Sequence, residues 1–126
     1  MDTLKAWHEV ITAQDFEKLK SILHDDVVFL SPVVHTPQLG AKITSKYLMA
    51  ASHVLGNDHF KYVREISDVS SAVLEFETEI EGKYVNGVDM IKWNDEGLIT
   101  EFKVMVRPLQ AVNAIHASMQ KILAQT

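Results

Sequence analysis

From Ala72 to Glu81 two sets of residues alternate without a break. Leu74, Phe76, Thr78 and Ile80 form one set, and Glu75, Glu77, Glu79 and Glu81 the other. A period of two puts successive side chains on opposite faces of a strand, so one face meets a core and the other meets water. The neighbouring sequence continues the sheet. Phe60 to Val69 reads as a preceding strand. Glu81-Gly82-Lys83 makes a tight turn into Tyr84 to Trp93, and Asn94-Asp95-Glu96-Gly97 turns into a last strand from Leu98 to Val106. The row of glutamates calls for cations between them, and Lys61, Lys83, Lys92 and Lys103 are the candidates on neighbouring strands.

Helical spacing governs the rest. Asp2 or Thr3 caps a first helix with Leu4, Trp7, Val10 and Ile11 on one face. Asp15 caps a shorter second helix with Phe16, Leu19, Ile22 and Leu23 inward, ended by Asp25-Asp26. Val27 to Leu30 is a short strand stopped by Ser31-Pro32, because proline lacks the ladder donor. A loop from Val33 to Leu39 follows. Gly40 opens a third helix with Ile43, Tyr47, Ala50, Ala51 and Val54 on one face, and Gly56-Asn57 stops it. Pro108 starts a final helix with an apolar stripe of Leu109, Val112, Ile115, His116, Met119, Ile122 and Leu123. Helices segregated from a run of antiparallel strands define an α+β fold. A strongly curved sheet wrapped round the N-terminal helices would enclose a pocket.

The 126 residues suit one domain, residues 1–126, with a single sizeable core. A net charge of −5 argues against a nucleic-acid surface. With no cysteine there is no disulfide framework and no thiolate metal site. No segment has the pattern of a signal peptide or the length of a membrane span, so the cytoplasm is the expected location and a membrane is not an expected partner. His8, His24, His53, His59 and His116 are scattered without metal-ligand spacing, and no metal or cofactor is expected. His8 and His116 lie near apolar helix faces and read as packing histidines.

Asp89 stands out. It lies between Val88 and Met90 in a strand that otherwise reads as buried. A carboxylate there costs free energy unless it is paired or faces a cavity. It is either a buried acid bonded to its neighbours or a pocket-facing acid whose proton affinity is raised by burial. Phe76, Phe102 and Met105 read first as core and then as walls of such a pocket, and Tyr47 as core or as a phenol donor into it.

The sequence resembles the nuclear transport factor 2-like superfamily, which includes ketosteroid isomerases, SnoaL-like polyketide cyclases and limonene epoxide hydrolase. The resemblance spans most of the chain. It rests on Leu23-His24-Asp25-Asp26-Val27-Val28-Phe29-Leu30-Ser31-Pro32 with Pro37 and Gly40, on Val88-Asp89-Met90-Ile91 with Asp95-Glu96-Gly97-Leu98-Ile99, and on Val106-Arg107-Pro108-Leu109. It implies a cone-like, cystatin-like sheet around the helices, an additional C-terminal helix, and a homodimer through the outer sheet face. An isomerase of this kind carries an aspartate before the proline on the first strand, where this chain has Ser31. It pairs a tyrosine on the first helix, here Trp7, with a protonated aspartate on a central strand, here Asp89. The handling of a neutral carboxyl as a donor in ketosteroid isomerase is well known. One of those three groups is therefore kept. His35, four residues beyond Ser31, is a candidate replacement base, since an imidazole takes and returns protons near neutral pH. It reads first as an exposed loop residue. An epoxide hydrolase needs an arginine about where Gly87 stands and a second aspartate on the last strand, where Val104 and Met105 lie.

The expectation is a SnoaL-like protein with an apolar pocket for a small apolar or amphipathic ligand, centred on Asp89. Asp89 and His35 are the candidate catalytic residues. Trp7, Ser31, Tyr47, Phe76, Phe102 and Met105 are the candidate ligand contacts. An isomerase, cyclase or hydratase using Asp89 as acid or oxyanion donor is one alternative, and a protein-interaction module is another.

Overall fold

The computed structural model describes residues 2–124. These form α1 (Thr3–Ala13), α2 (Phe16–Ile22), β1 (Leu23–Leu30), β2 (Gln38–Leu39), α3 (Ala41–Leu55), β3 (Lys61–Ser67), β4 (Ser71–Ile80), β5 (Lys83–Trp93), β6 (Ile99–Arg107) and α4 (Leu109–Ala124). Carboxylates start the first two helices. Asp2 accepts from Lys5 N–H at 3.0 Å and Asp15 from Lys18 N–H at 3.1 Å, each satisfying a donor that has no partner inside the helix. Gly40 precedes α3, and its N–H donates to Val27 O at 2.8 Å, tying the helix start to β1.

The strands form one curved, unclosed sheet in the order β2-β1-β6-β5-β4-β3. β3 to β6 are an antiparallel meander, as the alternation predicts. The β4–β5 hairpin turns at Glu81 (φ 50°) and Gly82 (φ 79°). Two successive positive φ values match the right-handed twist of the flanking strands. The pairing of β1 with β6 is parallel, so the sheet is mixed rather than purely antiparallel. The register Leu23↔Ile99 and Val28↔Glu101 includes a bulge, and it draws β1 back to Leu23. The second helix therefore ends at Ile22 instead of at Asp25-Asp26, and the strand is twice as long as Val27 to Leu30. The loop before Gly40 contains the two-residue β2, paired to β1 through Val28↔Leu39.

The inner face carries two adjoining apolar clusters. One holds Trp7, Val10, Leu19, Phe29, Leu74 and Phe102 between α1, α2, β1 and the sheet. The other holds Phe76, Ile80, Val85, Ala111, Ile115 and Met119 under α4. The inward stripe of α4 is thus Ala111, Ile115 and Met119, at spacings of four. Leu109 and His116, expected in that stripe, are exposed. On the outer face, among the described residues, the ion pair to a β4 glutamate comes from Arg64 and not from one of the expected lysines. Arg64 meets Glu75 at 3.2 Å, Asn86 Nδ2 donates to Glu75 at 3.0 Å, and the Tyr84 hydroxyl donates to Glu77 at 2.6 Å. Lys61 does lie opposite Glu77 in register. Among the described residues no helix is long and apolar enough to cross a membrane.

Candidate functional site

A partly open cavity of about 430 Å³ lies where the two clusters meet. β1, α3, β3, β4, β5, β6, α1 and α4 all contribute to its wall. Phe29, Phe76, Phe102, Ile115 and Met119 make most of the wall apolar. His8, Ser31, Lys61, Tyr62 and Asp89 are among its polar side chains, and a mainly apolar wall with some polar groups is how small-molecule sites are usually built.

Asp89 is placed in this wall by strand parity. β5 buries Val85, Gly87, Asp89 and Ile91 in alternation, so Asp89 faces inward with its neighbours Leu74 and Val104. It is 7% exposed. Burial raises its pKa from 3.8 to about 7, against the opposing effect of a hydrogen bond from Tyr62. That bond runs from the Tyr62 hydroxyl to Asp89 Oδ2 at 2.7 Å. Trp7 Nε1–H donates in turn to the Tyr62 oxygen at 3.1 Å. Burial, and then the Asp89 charge, push the Tyr62 phenol well above the ordinary tyrosine range, so it keeps its proton.

The direction of this chain follows from its members. An indole N–H only donates, so the Tyr62 oxygen accepts and its hydrogen goes on to Asp89. Among the described residues Tyr62 is the one donor to the carboxyl. With Oδ2 held as an acceptor, a proton taken up by Asp89 sits on Oδ1. At Asp89 the site thus presents either a neutral donor or, once ionised, a carboxylate.

The structure brings Trp7, Ser31, Phe76, Phe102 and Asp89 together around the cavity. It does not bring Met105, Tyr47 or His35 there. Met105 is 49% exposed on the outer sheet face, because it has the opposite parity to Phe102 along β6. Tyr47 is half-buried against Phe29, with ring centres 5.6 Å apart, and packs beside the cavity wall without joining it. His35 is exposed on the β1–β2 loop, whose Ser31, Pro32 and Val33 do reach the cavity.

Two residues in the wall escaped the sequence reading. Tyr62 lies on edge strand β3, where only Phe60 and Tyr62 hint at alternation before the exposed run from Val63 onward. His8 reads as packing, yet it lines the cavity. Its Nε2 lies 2.6 Å from Glu65 Oε1, and its ring stands edge-on to Tyr62 at 5.5 Å. Among the described residues no group of three histidine or acidic side chains could hold a metal.

No family model matches the chain, and no curated protein does. Solved structures do. A steroid delta-isomerase from Pseudomonas aeruginosa is 38% identical over 98% of this chain and 90% of its own, with a TM-score of 0.92. A protein with a cystatin-like fold from Silicibacter pomeroyi is 28% identical over 94% of this chain and 83% of its own, with a TM-score of 0.87. An NTF2-like protein from Cytophaga hutchinsonii, at 16% identity over 86% of this chain and 90% of its own and a TM-score of 0.65, shares the fold. The 38% identity over nearly the whole length and the shared fold agree: the chain belongs to the nuclear transport factor 2-like superfamily, with the ketosteroid isomerase-like fold.

Proposed function

We propose that the cavity binds a small apolar or amphipathic molecule through a hydrogen-bond acceptor, such as a ketone oxygen, placed at Asp89 Oδ1. The observation that carries this reading is the fixed chain from Trp7 through Tyr62 to Asp89. It leaves the proton of a neutral Asp89 available beside Phe29, Phe76 and Phe102. The likeness to a steroid delta-isomerase supports a ligand that is a rigid apolar ketone, and the cavity volume falls in the range of small-ligand sites.

Acid–base chemistry on such a ketone is the second reading. Asp89 would then act as the oxyanion donor, which it is suited to do while neutral. Ser31 cannot be the base, because a hydroxyl has too little basicity without a partner to activate it. Its oxygen only accepts from Val33 N–H at 3.1 Å.

Titration with 2-acetylnaphthalene at pH 6, followed through tryptophan fluorescence in a Trp93→Phe background so that Trp7 alone reports, tests binding. The ketone should saturate the signal, and Asp89→Leu should weaken it by about tenfold or more, the worth of one buried hydrogen bond. Affinity should fall as the pH rises through about 7, since Asp89 then loses the donated proton. Equal affinity for 2-ethylnaphthalene, with no effect of Asp89→Leu, would refute an acceptor site.

We further propose a homodimer across the outer sheet face. Ile66 and Met105 are exposed there beside half-buried Val73, Val88 and Met90. Sedimentation equilibrium should give twice the chain mass of 14.2 kDa, and Met105→Lys should shift it to the single mass. A single mass for the unaltered protein at micromolar concentration would rule this pairing out.

A further inference from the structure

We infer that an open groove along α3 binds a free medium-chain carboxylate, with the head group at Lys42, Ser45 and Lys46 and the alkyl chain on Met49, Ala50 and Ile122. The groove spans about 1130 Å³ and shares no residue with the Asp89 cavity. It is a second site, independent of the ketone reading.

The groove is built from one face of a helix. Lys42, Lys46, Met49 and His53 follow one another at steps of four, three and four residues, which places them on the same side of α3. Leu48, Ala51 and Leu55 turn to the Asp89 cavity instead. Lys20 of α2, Asp25 of β1, and Ile122 and Leu123 of α4 complete the lining. The apolar part is continuous with the cluster under α4, which contains Ala50 and has Ile122 and Leu123 packed against it. From Lys42 to His53 the helix rises about 16 Å at about 1.5 Å per residue, near the extended length of a chain of about ten to twelve carbons.

The head group is chosen by charge and by one buried hydroxyl. In a chain of net charge −5 the groove gathers three lysines against one carboxylate, Asp25. Lys20 meets Glu17 at 3.4 Å, whereas Lys42 and Lys46 make no ion pair among the described residues. Ser45 lies between those two in sequence and is 4% exposed. A helical serine commonly turns its hydroxyl to a carbonyl of the preceding turn, as Ser21 does to Lys18 O at 2.6 Å. The Ser45 hydroxyl makes no hydrogen bond among the described residues, although buried polar groups are normally partnered. Two ammonium groups one turn apart with a hydroxyl donor beside them suit an anion with two acceptor oxygens. The occupant also has to cover Met49 and Ile122. A nucleic-acid strand would leave them bare, and a bilayer surface would have to enter a concave groove to reach them. A carboxylate on a single alkyl chain does both.

The methionine methyl groups tell the two sites apart, because Met49 lines the groove and Met119 lines the Asp89 cavity. Decanoate, kept below its micelle concentration, should shift the carbon-13-labelled Met49 methyl signal of the full chain saturably and move that of Met119 far less. Decanol should bind about tenfold more weakly or worse. Lys42→Glu combined with Lys46→Glu should weaken decanoate by about tenfold or more and leave decanol unchanged, as loss of charge-assisted bonds requires. Both lysines are exposed, so this variant should remain folded. Ser45→Ala should weaken decanoate by about threefold to tenfold, the range for one hydrogen bond. Saturation at Met119 in place of Met49, equal affinity for decanol, or undiminished affinity in the double variant overturns the site. So does binding to phosphatidylglycerol vesicles with no response to free decanoate, which would make the lysine face a membrane contact.

Discussion

Asparagine in place of Asp89 should make the protein more stable than the unaltered chain at pH 8 and leave it nearly unchanged at pH 4. The cause is linkage. The folded carboxyl has a pKa of about 7 against an ordinary value of 3.8. Between those values the folded state holds a proton that the unfolded state has released, so stability falls as the pH rises. The contribution is fully present below about 3.8 and is lost by the time the pH has passed about 7. At about 1.4 kcal/mol for each pH unit, that loss is on the order of 4 kcal/mol. Asparagine keeps the shape and the acceptor for Tyr62 but has no charge to bury. Tyr62→Phe should act in the opposite sense. It removes the one bond that favours the ionised form, so the loss should extend to higher pH. It also strands the Trp7 indole N–H. Melting temperatures taken from pH 4 to pH 9 decide the matter. Parallel curves for the unaltered chain and Asp89→Asn would mean that Asp89 titrates as an ordinary carboxyl.

Gly87→Val should destabilise the fold by about 3 kcal/mol and abolish ketone binding. A Cβ at Gly87 would fall 2.4 Å from Phe76 Cζ and 2.9 Å from Met105 O. The first atom belongs to a ring that is 1% exposed, and the second is backbone. Overpacking a filled core costs roughly 1–3 kcal/mol, and two obstructed directions put this site at the upper end. The ring can yield only toward the cavity it lines, so stability and binding should be lost together. Gly87→Ala should move both in the same direction by less. A urea midpoint equal to that of the unaltered chain would show that Phe76 is not pressed on the glycine. The same contact explains why the arginine of an epoxide hydrolase has no room at this position: the Phe76 ring already occupies it.

The fold was legible where a period repeats. The glutamates Glu75, Glu77 and Glu79 of β4, with Leu74, Phe76, Thr78 and Ile80 on the other face, identify a half-buried strand without any other information. Asp2, Asp15 and Gly40 mark helix starts because their local chemistry is tied to position. The β1–β6 pairing was not legible, since it joins segments far apart in the chain and leaves no local trace. The early start of β1 at Leu23 follows from that pairing and was missed with it. In the site, Asp89 was visible as a charge among apolar residues. Met105 reads as an apolar wall residue like Phe102, although a separation of three along a strand puts them on opposite faces. Tyr62 was hidden because an edge strand exposes most of its residues on both faces. His8 was hidden because its partner, Glu65, lies across the fold and not along the helix.

That parallel pairing also sets an order of events. The meander from β3 to β6 is built of neighbours in sequence and can close early. β1 has no long partner until residues near Phe102 exist and have folded back. During synthesis the N-terminal helices and β1 must therefore wait, with Phe29 and Val27 uncovered, until most of the chain has left the ribosome. The cavity is the last compartment to be walled in, because Phe29 and Asp89 stand on opposite sides of that late-formed seam.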